Sequence, residues 1–321
     1  MRSACVAVVL SLVGYAVAQT QTLQRGEPVR PLPEPSSMKV DPRKVELGQQ
    51  LFHDPRLSRD DSIACVSCHM LNREKGGSDG LRVSEGVGGK LGGIRAPTVY
   101  NSVFNFRQFW DGRAADLQAQ ASGPVVNPVE MAADWKDVVK KLDADADFKQ
   151  RFTAVYPDGI SEKNITDAIA EFETTLITPS RFDRYLRGDK NALSDAEKRG
   201  YRLFKQYGCT SCHQGVNLGG NMYQKFGIMG DYFANRAVTS SDYGRFNETK
   251  RPEDKFVFKV PTLRNVELRA PYFHDASADN LEYAVAIMFQ YQLGRNPTAE
   301  DVQDLKAFLL SLTGEQFNHA P

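Results

Sequence analysis

Cys65-Val66-Ser67-Cys68-His69 and Cys209-Thr210-Ser211-Cys212-His213 decide how this chain is read. Each has the form C-x-x-C-H, a pair of thiols followed directly by an imidazole, which is the attachment pattern of a c-type haem. The thiols bond covalently to the porphyrin, and the adjacent histidine turns onto the iron as proximal ligand. Five Cys occur in the 321 residues; Cys5 lies in an apolar N-terminal stretch and the other four all fall in these motifs. Two disulfides would be the ordinary reading of four Cys in an exported chain, but they leave the two histidines without a reason. A thioredoxin-like pair needs only C-x-x-C, and a zinc ribbon would use four Cys without either His. Two covalent haems are therefore expected, held by Cys65, Cys68, Cys209 and Cys212, with His69 and His213 as proximal ligands.

Around the motifs the sequence repeats itself. Leu47-Gly48-Gln49-Gln50-Leu51-Phe52 precedes the first, and Arg199-Gly200-Tyr201-Arg202-Leu203-Phe204 precedes the second. After them, Pro97, Thr98, Asn101, Asp111 and Leu117 match Pro261, Thr262, Asn265, Asp275 and Leu281 at a constant offset of 164 residues. A fixed offset over such a span points to duplication. The expected fold is mostly α: two cytochrome c-like haem domains with long loops, residues 41–185 and 186–321, meeting where Pro179, Gly188, Asp189 and Lys190 weaken the helical pattern. Apolar spacing predicts helices over 43–52, 114–122, 134–152, 161–177, 194–206, 279–292 and 298–312. Ser194 with Glu197 and Thr298 with Asp301 form capping boxes, and Asp279 is the expected cap of the helix after it.

Composition limits the partners. Forty basic residues balance forty acidic ones, which removes any bulk-charge argument for nucleic acid. Arg2, the apolar run Ala4–Val13 and Ala16-Val17-Ala18 have the layout of a secretory signal peptide cleaved after Ala18. That apolar run is shorter than the ~20 residues of a membrane span, so residues 1–18 are read as removed and the product as exported to the periplasm without a membrane span. Residues 19–40, with four Pro, read as an extended arm. Residues 76–93 hold eight Gly, but Gly89-Lys90 is followed by Leu91, so the phosphate-binding Walker pattern is not met and a flexible loop beside the first haem is expected.

Each iron needs a sixth ligand or an open face, and these suit electron transfer and catalysis respectively. The second unit offers Met222, Met229 and Met288; spacing alone leaves Met288 equally a ligand or a core residue. His274 sits at the repeat position of Trp110, which suggests haem contact, and His319 lies in the tail. Between Cys65 and Cys209 the only His is His69, and Met70 and Met131 are poorly placed, so the first iron is expected to be open.

These residues together resemble the bacterial diheme cytochrome c peroxidases over essentially all of the chain beyond residue 18. The resemblance rests on both C-x-x-C-H motifs, Ala96-Pro97-Thr98-Val99-Tyr100-Asn101, Phe109-Trp110-Asp111-Gly112-Arg113-Ala114-Ala115-Asp116-Leu117, Gly123-Pro124, Asn127-Pro128-Val129-Glu130-Met131, Pro261 to Val266, Pro271-Tyr272-Phe273-His274-Asp275 and the Met288 segment through Gly294. It implies reduction of hydrogen peroxide to water with electrons from a small periplasmic cytochrome c or cupredoxin. The haem at Cys65 and Cys68 would be peroxidatic and the haem at Cys209 and Cys212 would transfer electrons. The resemblance makes Met288 the sixth ligand of the second iron, Glu130 the acid–base residue with Gln120 beside it, and Trp110 the tryptophan between the haems. Family members are often homodimers, an arrangement that would extend to this chain.

Two positions depart from that family. Val87 stands where a His usually binds the first iron in the oxidised state, so no step in which that ligand leaves is expected. Arg95 replaces a calcium-binding Asn, while backbone carbonyls near Arg269 and Pro271 would supply the other contacts; a cation there opposes a divalent ion. The competing readings are a diheme oxidase of the methylamine-utilisation type, which uses Tyr on its second haem where Met288 stands here with Tyr291 three residues on, and a non-catalytic diheme carrier, which would need both irons closed.

Overall fold

Helices, many of them capped by Asp, Ser or Thr, are the main regular structure of the molecule. A computed structural model describes residues 26–317; the expected signal peptide and His319 lie outside them. The helices are α1 (Pro42–Phe52), α2 (Cys65–Cys68), α3 (Leu117–Val126), α4 (Trp135–Asp143), α5 (Ala146–Val155), α6 (Glu162–Thr174), α7 (Arg181–Leu186), α8 (Asp195–Gln206), α9 (Phe246–Thr249), α10 (Leu281–Ile287) and α11 (Ala299–Leu310). The one sheet among the described residues pairs β1 (Tyr223–Lys225) with β2 (Val257–Lys259), antiparallel, with Tyr223 opposite Lys259. No helix among the described residues is long and apolar enough to cross a membrane.

Local chemistry explains where the helices differ from the expected spans. The 134–152 segment is broken because the Asp145 carboxylate accepts the Phe148 N–H at 3.0 Å and starts a new helix there. The 114–122 helix begins at Leu117 instead, since Asp116 caps it through the Ala119 N–H and Ala114 pairs with Gln108. Asn280, not Asp279, caps α10, accepting the Tyr283 N–H at 2.8 Å; Asp279 pairs with Arg82 instead. The expected 279–292 helix changes at Met288 into a π-turn, Met288–Leu293, closed by Gly294 in the left-handed region. The Ser194–Glu197 and Thr298–Asp301 capping boxes form as expected.

Two apolar cores result. One gathers Leu51, Phe52, Leu142, Phe152, Ile165 and Phe172; the other gathers Phe182, Tyr201, Phe204, Phe289, Phe308 and Leu312. The described part of the N-terminal arm is extended and lies on the second core: Val29 pairs with Gly215, and the Leu32 N–H donates to Asp183 at 2.7 Å. In each half the helix before the haem motif crosses a partner at a glycine. A Cβ on Gly48 in α1 would sit 1.9 Å from the Ala168 carbonyl oxygen in α6, and one on Gly200 in α8 would sit 1.9 Å from that of Asp304 in α11.

The repeated asparagines join the halves. Asn101 and Asn265 both take left-handed backbone angles, and both side-chain amides donate to Thr178 Oγ1 at 2.9 Å. Their backbone N–H groups reach matching carbonyls, Leu176 at 2.8 Å and Leu312 at 3.2 Å. Buried side-chain amides satisfied in this way are costly to disturb.

Gly48→Ala and Gly200→Ala each force a methyl group into backbone that cannot yield, so each is expected to destabilise the protein by about 1–3 kcal/mol or more. Denaturant unfolding checks this; a midpoint equal to wild type in both variants would contradict the close helix crossings.

Candidate functional site

Each C-x-x-C-H motif closes a single turn, with the histidine N–H bonded to the first cysteine carbonyl at 2.9 Å in both. That turn presents both thiols and the imidazole to one side. All four cysteines are free. Burial pushes the Cys65 and Cys209 thiols up to about 12, so they stay neutral. His69 Nδ1 faces the Gly77 carbonyl at 3.4 Å and His213 Nδ1 faces that of Leu218 at 3.1 Å. The carbonyls of Pro97 and Pro261 also face these rings, so the repeated Pro-Thr segments orient both histidines. A carbonyl can only accept, so Nδ1 carries the proton and Nε2 keeps its lone pair. Burial lowers both imidazole pKa values, His213 to about 4, which keeps them neutral. Paired reduced thiols beside a neutral, carbonyl-anchored imidazole fit a covalently bound haem at each motif.

Both motifs open on one continuous cavity of about 750 Å³. Its walls bring together Trp110, Gln120, Glu130, His274 and Met288, the residues singled out from sequence. Gln120 projects from α3. Glu130 follows a turn in which its Oε1 accepts the Asn127 amide at 2.7 Å. Burial raises the Glu130 pKa, while Arg113 and Asn127 pull it down. Trp110 packs against the second core beside Phe258 and His274, its Nε1 donating to the Arg95 carbonyl at 2.8 Å. Met288 opens the π-turn and lines the cavity; Tyr291 instead packs against Tyr232, with ring centroids 5.2 Å apart.

His274 is a different kind of residue from the two proximal histidines. It is buried, its Nε2 sits 2.8 Å from Asp242 and its ring lies 4.4 Å from that of Phe258. Asp242, Asp275 and His274 cluster closely, but Arg236 already bridges the two carboxylates, so the group is an internal ion network.

Part of the glycine-rich segment packs on the Glu130 turn, while Leu81 and Leu91 within it are exposed. Val87 is buried and its N–H donates to the Glu130 carbonyl at 2.8 Å. A Cβ on Gly86 would lie 2.4 Å from both the Val129 and Glu130 carbonyl oxygens. The loop therefore holds the Glu130 turn in place. The Arg95 side chain turns inward: it is buried, its Nη2 donating to the Ala270 carbonyl at 3.3 Å.

Sequence reading missed several cavity residues. Glu173 on α6 is buried with Oε2 unpartnered, and burial pushes its carboxyl up to about 8. Lys259 and Arg269 are likewise buried on the cavity wall. A polar residue on the apolar face of the 161–177 pattern was the available signal for Glu173; nothing comparable marks Lys259.

Residues 42–191 match the di-haem cytochrome c peroxidase family. The chain is 52% identical over 302 residues to the cytochrome c peroxidase of Escherichia coli (strain K12), an alignment that covers 94% of this chain and 64% of that protein's length. It is 43% identical over 317 residues to the cytochrome c551 peroxidase of Nitrosomonas europaea, covering 98% of this chain and 92% of the relative. A crystal structure of a MauG-like protein associated with microbial copper homeostasis superposes with a TM-score of 0.78 at 29% identity, over 90% of this chain and 94% of that one.

Proposed function

Because this chain belongs to the di-haem cytochrome c peroxidase family, we propose that it reduces hydrogen peroxide to water with electrons drawn from a small exported carrier, a cytochrome c or a cupredoxin. The observation that carries this reading is the asymmetry of the shared cavity. A carboxyl with a burial-raised pKa, Glu130, lies among the residues that follow the first motif, and a thioether, Met288, lies among those that follow the second. The sequence reading of an N-terminal signal peptide places the work in the periplasm. The matched offsets and the two glycine helix crossings support descent of the halves from one duplicated haem unit, residues 41–185 and 186–321.

When bound, the haems supply iron to hold peroxide and to store and pass electrons. The residues do the rest. His69 and His213 present Nε2 as proximal ligands, and the cysteines anchor the porphyrins. Met288, on the cavity wall, would be the residue to close the second iron, which would suit a relay. Val87 offers no donor to the first, which would leave that iron accessible to substrate. Reduction of peroxide to two waters takes up two protons and two electrons from outside; within the peroxide, one oxygen must also lose its proton while the other gains one and leaves as water. A partly buried carboxylate can accept the first proton and return it, and that is the role assigned to Glu130, held by Asn127 and the Gly86 clamp. Gln120 lines the same cavity and is assigned to orient the substrate by hydrogen bonding. Trp110, on the wall of the shared cavity, is assigned as the aromatic link for electrons. His274 buttresses the cavity wall through Asp242.

The arrangement also bears on the competing oxidase reading. A Tyr-ligated second haem would draw on Tyr291, which is packed on Tyr232 and absent from the cavity wall. Met288 is on that wall, and this favours the peroxidase.

Three outcomes follow. Glu130→Gln is expected to lower kcat/KM for peroxide by roughly 10²–10⁴-fold with haem content unchanged. In wild type, kcat/KM falls as pH drops through the raised Glu130 pKa, and the variant loses that acid limb; steady-state assays across pH with reduced cytochrome check both. Met288→Tyr is expected to lower the second haem's potential and slow turnover, and full wild-type turnover in that variant would count against the ligand assignment. With the Arg95 guanidinium buried at the position of the family's Asn, neither calcium nor a chelator is expected to change the spectrum or rate of the holoprotein, as titration would show.

A further inference from the structure

Three cations stand on the cavity wall without carboxylate partners. Arg95, Lys259 and Arg269 are 3%, 7% and 8% exposed. None forms an ion pair among the described residues, and Arg95 Nε and Arg269 Nε have no hydrogen-bond partner. Arg269 Nη2 donates to the Thr262 carbonyl at 2.6 Å, while the Arg95 contacts to Ala270 and Ala96 are long, at 3.3 and 3.5 Å. The nearby carboxylates are taken: Asp79 accepts from Leu81 and Ser84, and Asp111 pairs with Arg113 at 2.8 Å. Arg264 shows how the same fold treats a buried cation that expects no ligand. It is paired with Asp183 at 2.7 Å and also donates to Val216 and Arg30 carbonyls.

The positions are not scattered. Arg95 and Lys259 are separated by the 164-residue offset of the repeat, each two residues before its Pro-Thr pair. Each half thus supplies one buried cation next to the segment whose proline carbonyl faces its proximal histidine. Leaving such charges unpaired in a buried wall is costly, so an anion must meet them. The haem expected at each motif brings one, because its porphyrin carries propionate carboxylates. Burial, with Arg269 adding to it, lowers Lys259 to about 8, and burial with Arg95 lowers Arg269 to about 10, the direction expected of cations awaiting a counter-charge.

We propose that Arg95, Lys259 and Arg269 form a subsite that binds the propionate carboxylates of the haems, with Arg95 and Lys259 serving corresponding places in the two halves, and that its positive charge holds the haem potentials up. This rests on the two-haem reading given above. Neutralising a propionate favours the reduced, more negative centre; removing the cation favours the oxidised one.

The test uses holoprotein: wild type, Lys259→Met, Lys259→Arg, Arg95→Met and Arg95→Lys. Haem per chain is measured by pyridine haemochrome assay and the midpoint potential of each haem by spectroelectrochemistry. With haem content at two per chain, each Met variant is expected to lower the reduced-to-oxidised ratio of a haem about tenfold at fixed applied potential, or ~59 mV for a one-electron couple. Each charge-preserving variant restores most of it. Two haems with unmoved potentials, or equal shifts in the Met and the charge-preserving variants, would overturn the subsite while leaving the peroxidase reading intact. A wild-type chain without haem would overturn the underlying reading and the subsite with it. Should the Met variants fail to fold, resonance Raman of wild type decides: propionate bending bands of hydrogen-bonded carboxylates support the subsite, and bands at the free, solvated position overturn it.

Discussion

The structure depends on fixing two imidazole rings in a wall that cannot shift. A proximal histidine is useful only if its Nε2 points steadily at one place, and here the other nitrogen of each ring faces a backbone carbonyl in a loop. Those loops are held in turn by the repeated Pro-Thr-x-x-Asn segments, whose asparagines meet on one threonine hydroxyl. Thr98 and Thr262 extend the same scheme, donating to the Gly76 carbonyl at 2.7 Å and the Asn217 carbonyl at 2.7 Å. The glycines at the α1–α6 and α8–α11 crossings let the helix pairs approach closely enough to support these loops. One requirement, a rigid donor direction, therefore accounts for several features that the two halves of the sequence repeat.

Symmetry in the scaffold makes the differences in the cavity informative. The halves share their thiols, their histidine anchors and a buried cation, but not what they present beyond the first-bound side chains. The π-turn brings Met288 onto the wall in one half. In the other, the glycine clamp through Gly86 positions Glu130, and Val87 contributes backbone rather than a donor. On the proposed reading, a division of labour between a relay and a reacting centre would rest on these few differences between the halves.

Much of this was legible beforehand, and the exceptions have physical causes. The haem motifs and capping boxes are short-range chemistry, readable from spacing. The Asp145 break and the Asn280 cap were misread because several acidic or amide residues sat within reach of each helix start and only tertiary contacts, such as the Asp279–Arg82 pair, chose among them. The glycine-rich segment looked free, but its lack of side chains serves close packing on the Glu130 turn. Glu173, Lys259 and the side chain of Arg269 escaped notice because a buried charge cannot be told from a surface one until the fold brings its neighbours together.

Low-temperature electron paramagnetic resonance on the oxidised, untreated holoprotein addresses the asymmetry most directly. The account predicts one low-spin signal from a His213- and Met288-ligated iron, together with a signal from a five-coordinate or water-bound iron at His69. Two low-spin signals, with the first iron ligated by side chains on both faces, would contradict it.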